Sequence, residues 1–162
     1  MNSQRKIQTL SSLKKNLQQL HRQGKTIAFT NGCFDILHFG HISYLEKARA
    51  KDRILIVGVN SDASVRRIKG PRRPIVPQRE RARVLAALAC VDFVTIFDED
   101  TPLKVIESLK PDILIKGADW KGKDVVGSDV VKSCGGRIEL VRYLSKFSST
   151  NIIEKIVKKC GA

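Results

Sequence analysis

One stretch of sequence decides the fold class of this chain: Thr26-Ile27-Ala28-Phe29-Thr30-Asn31-Gly32-Cys33-Phe34-Asp35-Ile36-Leu37-His38-Phe39-Gly40-His41. Its first five residues form a short apolar run, and Asn31-Gly32 ends it, which predicts a buried strand followed by a turn. Helical spacing of apolar residues resumes over residues 40–51. A strand, a turn and a helix in this order predict the start of a βαβ unit.

The same alternation continues on both sides of this stretch. Helical patterns cover residues 9–23, 78–89 and 128–133, a short helix opens at Thr101-Pro102, and a last helix starts at about residue 150. Strand patterns cover residues 54–59, 92–97, 113–116 and 137–141, and residues 66–77 are expected to form a basic loop. The chain is therefore predicted to be an α/β protein, with a Rossmann-like doubly wound parallel sheet of about five strands.

Length and composition favour one ordered domain. The 162 residues are 42% hydrophobic, which is enough apolar surface for a core, and we expect a single domain over 1–162, with an N-terminal helix in 1–24 and the core of the domain in 25–162. No apolar run approaches the length of a membrane span, and no secretory signal pattern is seen. Four scattered cysteines without a Cys-x-x-Cys pair argue against a disulfide framework and favour a cytoplasmic location.

The formal charge of +14 predicts an anionic partner without choosing among nucleic acid, membrane headgroups and phosphorylated metabolites. Eight cations lie within residues 66–83, which contain one acid, Glu80. Arginine suits bidentate contact with phosphate, so part of this basic segment is a candidate phosphate site, although a solvated helix face is the common alternative. A nucleic-acid-binding module is a further alternative, but residues 61–92 contain no Phe, Tyr or Trp to stack on bases.

The turn after the first strand is the strongest candidate site. Gly32 and Gly40 would let an anion approach backbone N–H groups at a helix N-terminus, and His38 and His41 lie beside them. A closed zinc site at Cys33, His38 and His41 needs a further ligand that no matching Cys or His pair supplies. Gly24-Lys25-Thr26 is not a P-loop, because residue 19 is Gln and the tripeptide precedes a strand.

A second candidate phosphate site lies before the last helix. Ser148, Ser149 and Thr150 precede the helical pattern of that segment. Their hydroxyls can cap the helix, and the same hydroxyls and N–H groups can bind a phosphate.

These residues carry a family resemblance. Residues 32–41 resemble the Gly-x-Phe-Asp-x-x-His-x-Gly-His signature of the nucleotidyltransferase superfamily that includes the cytidylyltransferases, and Ser148-Ser149-Thr150 resembles its Ser-Thr-Thr motif. Further segments resemble the adenylyltransferase domains of bacterial ADP-heptose synthases. They include Val59 to Ser64, Lys69-Gly70, Arg73-Pro74, Val91-Asp92, Glu99-Asp100-Thr101-Pro102, Lys116-Gly117-Ala118-Asp119-Trp120 and Thr150 to Ile153.

The resemblance implies a reaction and its partners. It implies transfer of AMP from ATP, with Mg²⁺, to D-glycero-β-D-manno-heptose 1-phosphate for lipopolysaccharide core synthesis. A separate sugar kinase would act upstream, a homodimer is the suggested assembly, and neither nucleic acid nor membrane is an expected partner. A cytidylyltransferase acting on glycerol 3-phosphate or phosphoethanolamine is the alternative, since phosphate-binding residues cannot distinguish ATP from CTP.

The resemblance also assigns roles to residues. His38 and His41 are the expected catalytic pair, donating to the α- and β-phosphates. Asp35 is expected to orient the loop or contact magnesium, and no metal site made of protein groups alone is expected. The expected nucleotide-binding residues are Thr30, Asn31, Gly32, Cys33, Phe34, Gly40, Lys69, Arg81, Lys116, Gly117, Asp119, Trp120, Ser148, Ser149 and Thr150. Lys146 stands where the family usually has Gly, and Ser149 replaces the middle Thr.

Overall fold

A computed structural model describes residues 2–50, 52–142 and 147–161. Its sheet has five parallel strands in the spatial order β3-β2-β1-β4-β5. The strands are β1 (Thr26–Gly32), β2 (Arg53–Asn60), β3 (Phe93–Phe97), β4 (Ile113–Gly117) and β5 (Arg137–Val141). The predicted α/β fold is confirmed. Because the strand order reverses between β1 and β4, the crevice at their carboxyl ends is where such a sheet binds ligands.

Seven α-helices lie in the described residues, together with two 3-10 turns, Ser3–Lys6 and Ala118–Trp120. The helices are α1 (Leu10–Arg22), α2 (Phe39–Ala48), α3 (Asp62–Lys69), α4 (Gln78–Ala87), α5 (Leu103–Leu109), α6 (Ser128–Ser133) and α7 (Ser149–Cys160).

The helices cover both faces of the sheet. Ile27 and Phe29 of β1 lie in one apolar cluster with residues of α1, α5 and α6, whereas Ala28 lies in a second cluster with residues of α2 and α4. Burial on both faces explains why the strands are almost continuously apolar. This packing holds the carboxyl edge of β1 rigidly between its neighbours.

Helix α3 corrects one prediction. The sequence predicted a loop over 66–77, but residues 62–69 are helical. Ser61 caps this helix by accepting a hydrogen bond from the Ser64 amide at 3.0 Å, and Gly70 ends it with a φ of 93°. Ser61 and Gly70 are residue types that favour the start and the end of a helix. The many basic residues between them favoured the interpretation as a loop.

Helix α7 is less embedded than the others, since none of its residues is fully buried. Lys146, which replaces a family glycine, lies outside the described residues.

No helix within the described ranges combines the length and the apolar character that a bilayer crossing requires.

Candidate active site

The turn between β1 and α2 has an unusual backbone. Phe34 adopts a φ of 47°, in the left-handed region that non-glycine residues seldom occupy. Its buried ring packs over Gly32, where a Cβ atom would lie 3.0 Å from Phe34 Cε2. Glycine at position 32 therefore allows the chain to reverse tightly at the end of β1.

His38 and His41 form a stacked pair at the start of α2. Their ring centroids are 3.8 Å apart with an interplanar angle of 22°. Both ring nitrogens of His38 and Nδ1 of His41 are buried, and none of them has a hydrogen-bond partner among the described residues. Buried polar atoms are rarely left unpaired in proteins, so these three nitrogens mark a place where a ligand is expected to bind.

Both imidazoles are held neutral. Burial lowers the pKa of His41 from 6.5 to about 4, and the adjacent His38 acts in the same direction. Burial also lowers the pKa of His38. At neutral pH each ring therefore carries one N–H donor and can gain a proton when negative charge is placed beside it.

The N-terminus of α7 lies against this turn. Ser149 Oγ donates to the Ile36 carbonyl at 3.0 Å, and the Phe147 ring stacks near that of His38, with centroids 6.5 Å apart. Gly40 permits the approach, because a Cβ there would be 3.0 Å from both His38 Nδ1 and Phe147 Cβ. Ser148 caps α7 by accepting from the Asn151 amide at 3.0 Å, and Thr150 is exposed. The two candidate phosphate sites are therefore neighbours.

A cavity of about 530 Å³ opens at the carboxyl ends of β1, β2 and β4. This volume is typical of small-molecule sites. Nine of the predicted site residues line it: Asn31, Gly32, Cys33, Phe34, His41, Lys116, Gly117, Asp119 and Trp120.

Lys116 is the one lysine or arginine among the described residues that line this cavity. Its side chain is 7% exposed, its ammonium donates to Asn31 Oδ1, and it lies 5.4 Å from the centroid of the Trp120 ring. Burial lowers the pKa of Lys116 from 10.5 to about 8, while Asp119 acts in the opposite direction. The ammonium is thus largely desolvated, which strengthens its attraction for an anion.

Asp35 holds the turn against the loop that follows α3. Its carboxylate is almost fully buried and accepts hydrogen bonds from Arg73 Nε at 2.6 Å, the Ile75 amide at 2.8 Å and the Val76 amide at 2.9 Å. This arrangement is that of a loop-orienting residue. The carboxylate accepts these three hydrogen bonds and does not line the cavity.

Arg81 lies beside the turn and outside the cavity. Its side chain is 1% exposed and does not line the cavity, and the contact with the triphosphate that the resemblance implies stays a prediction. Its guanidinium donates to the carbonyls of Cys33, Asn60 and Val76 and to Asp62 Oδ1, the last at 2.7 Å. Arg81 therefore ties the ends of β1 and β2 to the loop before α4.

Other predicted residues lie near the cavity without lining it. Thr30 is buried and its hydroxyl is 2.8 Å from the Tyr44 hydroxyl, and Lys69 is exposed on α3. Lys69 is close enough to act electrostatically on the Cys33 thiol, whose pKa is raised chiefly by burial. His38, Gly40 and the residues 148–150 surround the turn beside the cavity.

Sequence reasoning missed several lining residues: Tyr44, Asn60, Ile68, Asp100, Thr101, Pro102 and Val126. Asn60 ends β2, and Asp100 and Thr101 follow β3. The rule that parallel strands present their ligands at their carboxyl ends could have found these three. This rule does not find Tyr44, because Tyr44 lies within α2 and in the sequence resembles any other buried position of that helix.

The described residues contain no group of three or more His, Cys, Asp or Glu side chains placed to hold a metal ion. Nothing in that part of the chain supports the zinc site considered for Cys33, His38 and His41.

Comparison with known proteins identifies a family model and several similar proteins. A family model described as cytidylyltransferase-like matches residues 29–155. The chain is 54% identical over 154 residues to the bifunctional protein HldE of Syntrophotalea carbinolica and 56% identical over 154 residues to that of Geotalea uraniireducens. Each match covers 95% of this chain and 31% of the relative, so the chain spans about a third of their length.

A solved structure is also similar. The lipopolysaccharide core biosynthesis protein of Thermoplasma volcanium is 30% identical and superposes with a TM-score of 0.59. The match covers 74% of this chain and 96% of that protein.

Proposed function

The chain belongs to the cytidylyltransferase-like family of nucleotidyltransferases, and from this premise we propose that it transfers AMP from ATP to D-glycero-β-D-manno-heptose 1-phosphate, forming ADP-heptose and pyrophosphate. The motifs shared with ADP-heptose synthases support the substrates. The similar protein of Thermoplasma volcanium is a lipopolysaccharide core biosynthesis protein, and this likeness supports the pathway.

The stacked His38–His41 pair is the observation that carries this proposal. Three buried ring nitrogens without partners in the described chain lie at a helix N-terminus beside Gly32 and Gly40. N–H donors in such a place suit phosphate oxygens. Neutral imidazoles can donate as the substrate binds and become more cationic as charge develops on the transferring group.

The reaction needs no covalent intermediate on the protein. An ionised oxygen of the sugar phosphate attacks the α-phosphorus of ATP, the bond from that phosphorus to the oxygen bridging the β-phosphate breaks, and pyrophosphate leaves with the electron pair. The contribution of the protein is to align the two anions and to stabilise the negative charge.

Each part of the site has a role in this scheme. His38 and His41 donate to the α- and β-phosphates, and backbone N–H groups of residues 32–34 assist them. The backbone N–H groups of Ser149 and Thr150, at the start of α7, and the exposed Thr150 hydroxyl hold the β- and γ-phosphates, while the Ser149 hydroxyl donates to the Ile36 carbonyl. Lys116 offers positive charge within the same cavity, between Asn31 and Trp120, and Asp119 and Trp120 bind the ribose and the base.

Mg²⁺ is proposed to enter with ATP, neutralising charge on the triphosphate. The phosphate oxygens of the nucleotide would supply its ligands. The Asp35 carboxylate does not fit a direct metal contact, because it lies outside the cavity lining and both of its oxygens are held by N–H donors of the loop after α3.

The proposal is tested by measuring pyrophosphate release by the chain with ATP and CTP, each combined with heptose 1-phosphate, glycerol 3-phosphate or phosphoethanolamine. Release is expected with ATP and heptose 1-phosphate. Release with CTP and not with ATP would contradict the proposed nucleotide, and release with only one of the other acceptors would contradict the proposed acceptor.

A further inference from the structure

The cavity has a second wall that the proposed roles leave unused. This wall, here called the β2–β3 wall, is formed at the carboxyl ends of β2 and β3 by Asn60, Ile68, Asp100, Thr101 and Pro102. The nucleotide is assigned to the opposite side, between β1 and β4. A reaction of two substrates requires a place for the second one. Of the seven lining residues outside the predicted site, five form the β2–β3 wall, and the other two are Tyr44 and Val126.

Asn60 shows that this wall is built to accept hydrogen bonds. The side chain is 3% exposed, and its Nδ2 donates to Ser64 Oγ at 3.0 Å. Ser64 Oγ in turn donates its single proton to the Glu99 carbonyl at 2.8 Å, so it can only accept from Asn60. This contact fixes the orientation of the Asn60 amide and leaves Oδ1 as an available acceptor beside the second Nδ2–H, since no described residue donates to that oxygen.

Asp100 and Thr101 add two more polar groups. Asp100 Oδ1 accepts from Arg67 Nε at 2.6 Å, which fixes the carboxylate and leaves its second oxygen available. Arg67 also donates to the Asp98 carbonyl, so the loop after β3 is tied to α3 on the outer side of the cavity. Thr101 lines the cavity with an exposed side chain.

The chemistry of the β2–β3 wall selects among ligands. Asn60 Oδ1 and the second Asp100 oxygen accept hydrogen bonds from O–H or N–H groups, which a fully ionised phosphate does not offer. The apolar residues of the wall, Ile68 and Pro102, provide a surface for carbon atoms without an aromatic cage of the kind that binds quaternary ammonium groups. A polyhydroxylated carbon skeleton fits this combination.

We propose that the β2–β3 wall binds the hydroxyl groups of the sugar-phosphate acceptor, with Asn60 Oδ1, Asp100 and Thr101 as the specificity-determining contacts. This inference rests on the proposed function, because it assigns a surface to the acceptor of that reaction. The acceptor phosphate then points away from Asp100, towards Lys116 and the His38–His41 pair, where the α-phosphate of ATP is expected.

The experiment compares two acceptors in the unaltered chain and in three variants, one of which is a control. Pyrophosphate release is measured at saturating ATP with heptose 1-phosphate and with methyl phosphate, which lacks the polyol, for the unaltered chain, Asp100→Asn and Thr101→Val. Glu99→Gln is the matched control, since it removes the same charge at the adjacent position, where the carboxylate pairs with Lys104 at 3.0 Å and does not line the cavity. Thermal unfolding verifies that each variant is folded.

For heptose 1-phosphate we expect kcat/KM to fall about ten- to hundredfold in Asp100→Asn and about three- to tenfold in Thr101→Val, the range for charged and neutral hydrogen bonds. With methyl phosphate, and for the KM of ATP, we expect changes below about twofold. Glu99→Gln should match the unaltered chain.

Equal losses with both acceptors, or unchanged kcat/KM with heptose 1-phosphate, would overturn the β2–β3 wall as the acceptor site and leave the proposed function standing. A change confined to the Mg²⁺ dependence would overturn it in the same way. Absence of pyrophosphate release from the unaltered chain with ATP and heptose 1-phosphate would overturn the proposed function and, with it, this inference.

Discussion

The sequence offers two candidate phosphate sites: the turn between β1 and α2, and the basic segment at residues 66–83. In the structure they differ in whether their polar side chains have partners. The turn brings two histidines together and leaves three of their nitrogens without partners in the described chain. In the basic segment, Arg67, Arg73 and Arg81 are engaged with Asp100, Asp35 and Asp62 respectively.

The two regions differ in their unpaired polar atoms: the turn contains three buried imidazole nitrogens without partners in the described chain, whereas three arginines of the basic segment are held in ion pairs. Arg73 and Arg81 contact the turn without lining the cavity: Arg73 donates to Asp35, and Arg81 donates to the Cys33 carbonyl. The basic segment thus supports the geometry of the turn, while the turn itself is proposed to contact the substrate.

The largest effect is expected from Arg81→Met, which removes the donor to three carbonyls and one carboxylate. Loss of one partner from a buried ion pair costs about 3–5 kcal/mol, so the free energy of unfolding should fall by that amount in urea titration. Arg79→Met, on the exposed side of the same helix, should change it by less than about 0.5 kcal/mol. Equal stability of the two variants would show that Arg81 does not hold the turn.

The second prediction concerns the turn directly. His41→Ala should lower kcat by about a hundredfold or more, the cost of losing one donor to the transition state, while ATP binding stays measurable by calorimetry. The matched control is Arg66→Gln, in the basic segment and exposed, for which we expect kcat within about threefold of the unaltered chain. A larger loss in Arg66→Gln than in His41→Ala would reverse the assignment of the two regions.

A smaller effect is expected from the protonation of Lys116. Because its pKa is lowered to about 8, the ammonium loses its proton as the pH rises through that value, and affinity for an anion should fall on the alkaline side. Between pH 7 and pH 9.5 we expect the KM for ATP to rise about tenfold, the worth of one charge-assisted hydrogen bond. The facing groups are Asn31, Trp120 and Asp119, of which only Asp119 is charged.

Lys116→Met should show a raised KM for ATP already at pH 7 and little further change up to pH 9.5. Lys121→Met, an exposed lysine nearby, should keep the alkaline rise. Parallel pH profiles for the unaltered chain and Lys116→Met would rule out Lys116 as the group that titrates.

Much of the fold could be predicted because strands buried on both faces are continuous apolar runs. The pattern located β5 at residues 137–141 and α6 at residues 128–133 with the bounds that the structure shows. Helix α3 was missed because its positive charges were interpreted as a loop. A local sequence pattern reflects composition alone. Helix α3 is anchored by Val65, which is fully buried, and this burial depends on tertiary packing that a local pattern does not contain.

The candidate site was predictable to the extent that it is contiguous in sequence. Residues 31–34 and 116–120 each form one short motif, and both line the cavity except for Ala118. The partners of Arg81 are spread over Cys33, Asn60, Asp62 and Val76, which only the folded chain brings together. Asn60 and Asp100 could have been placed at the ligand-binding edge, because they lie at or just after the carboxyl end of a strand, but their sharing one cavity depends on how the strands pack.

The most direct test of the proposed site is a crystal structure of the chain with Mg²⁺ and an ATP analogue that resists transfer at the α-phosphate. We predict α- and β-phosphate oxygens within hydrogen-bond distance, about 3 Å, of nitrogens of His38 and His41. A triphosphate bound along the exposed arginines at residues 66–83, with the two imidazoles still unpaired, would contradict the assignment of the turn as the phosphate site.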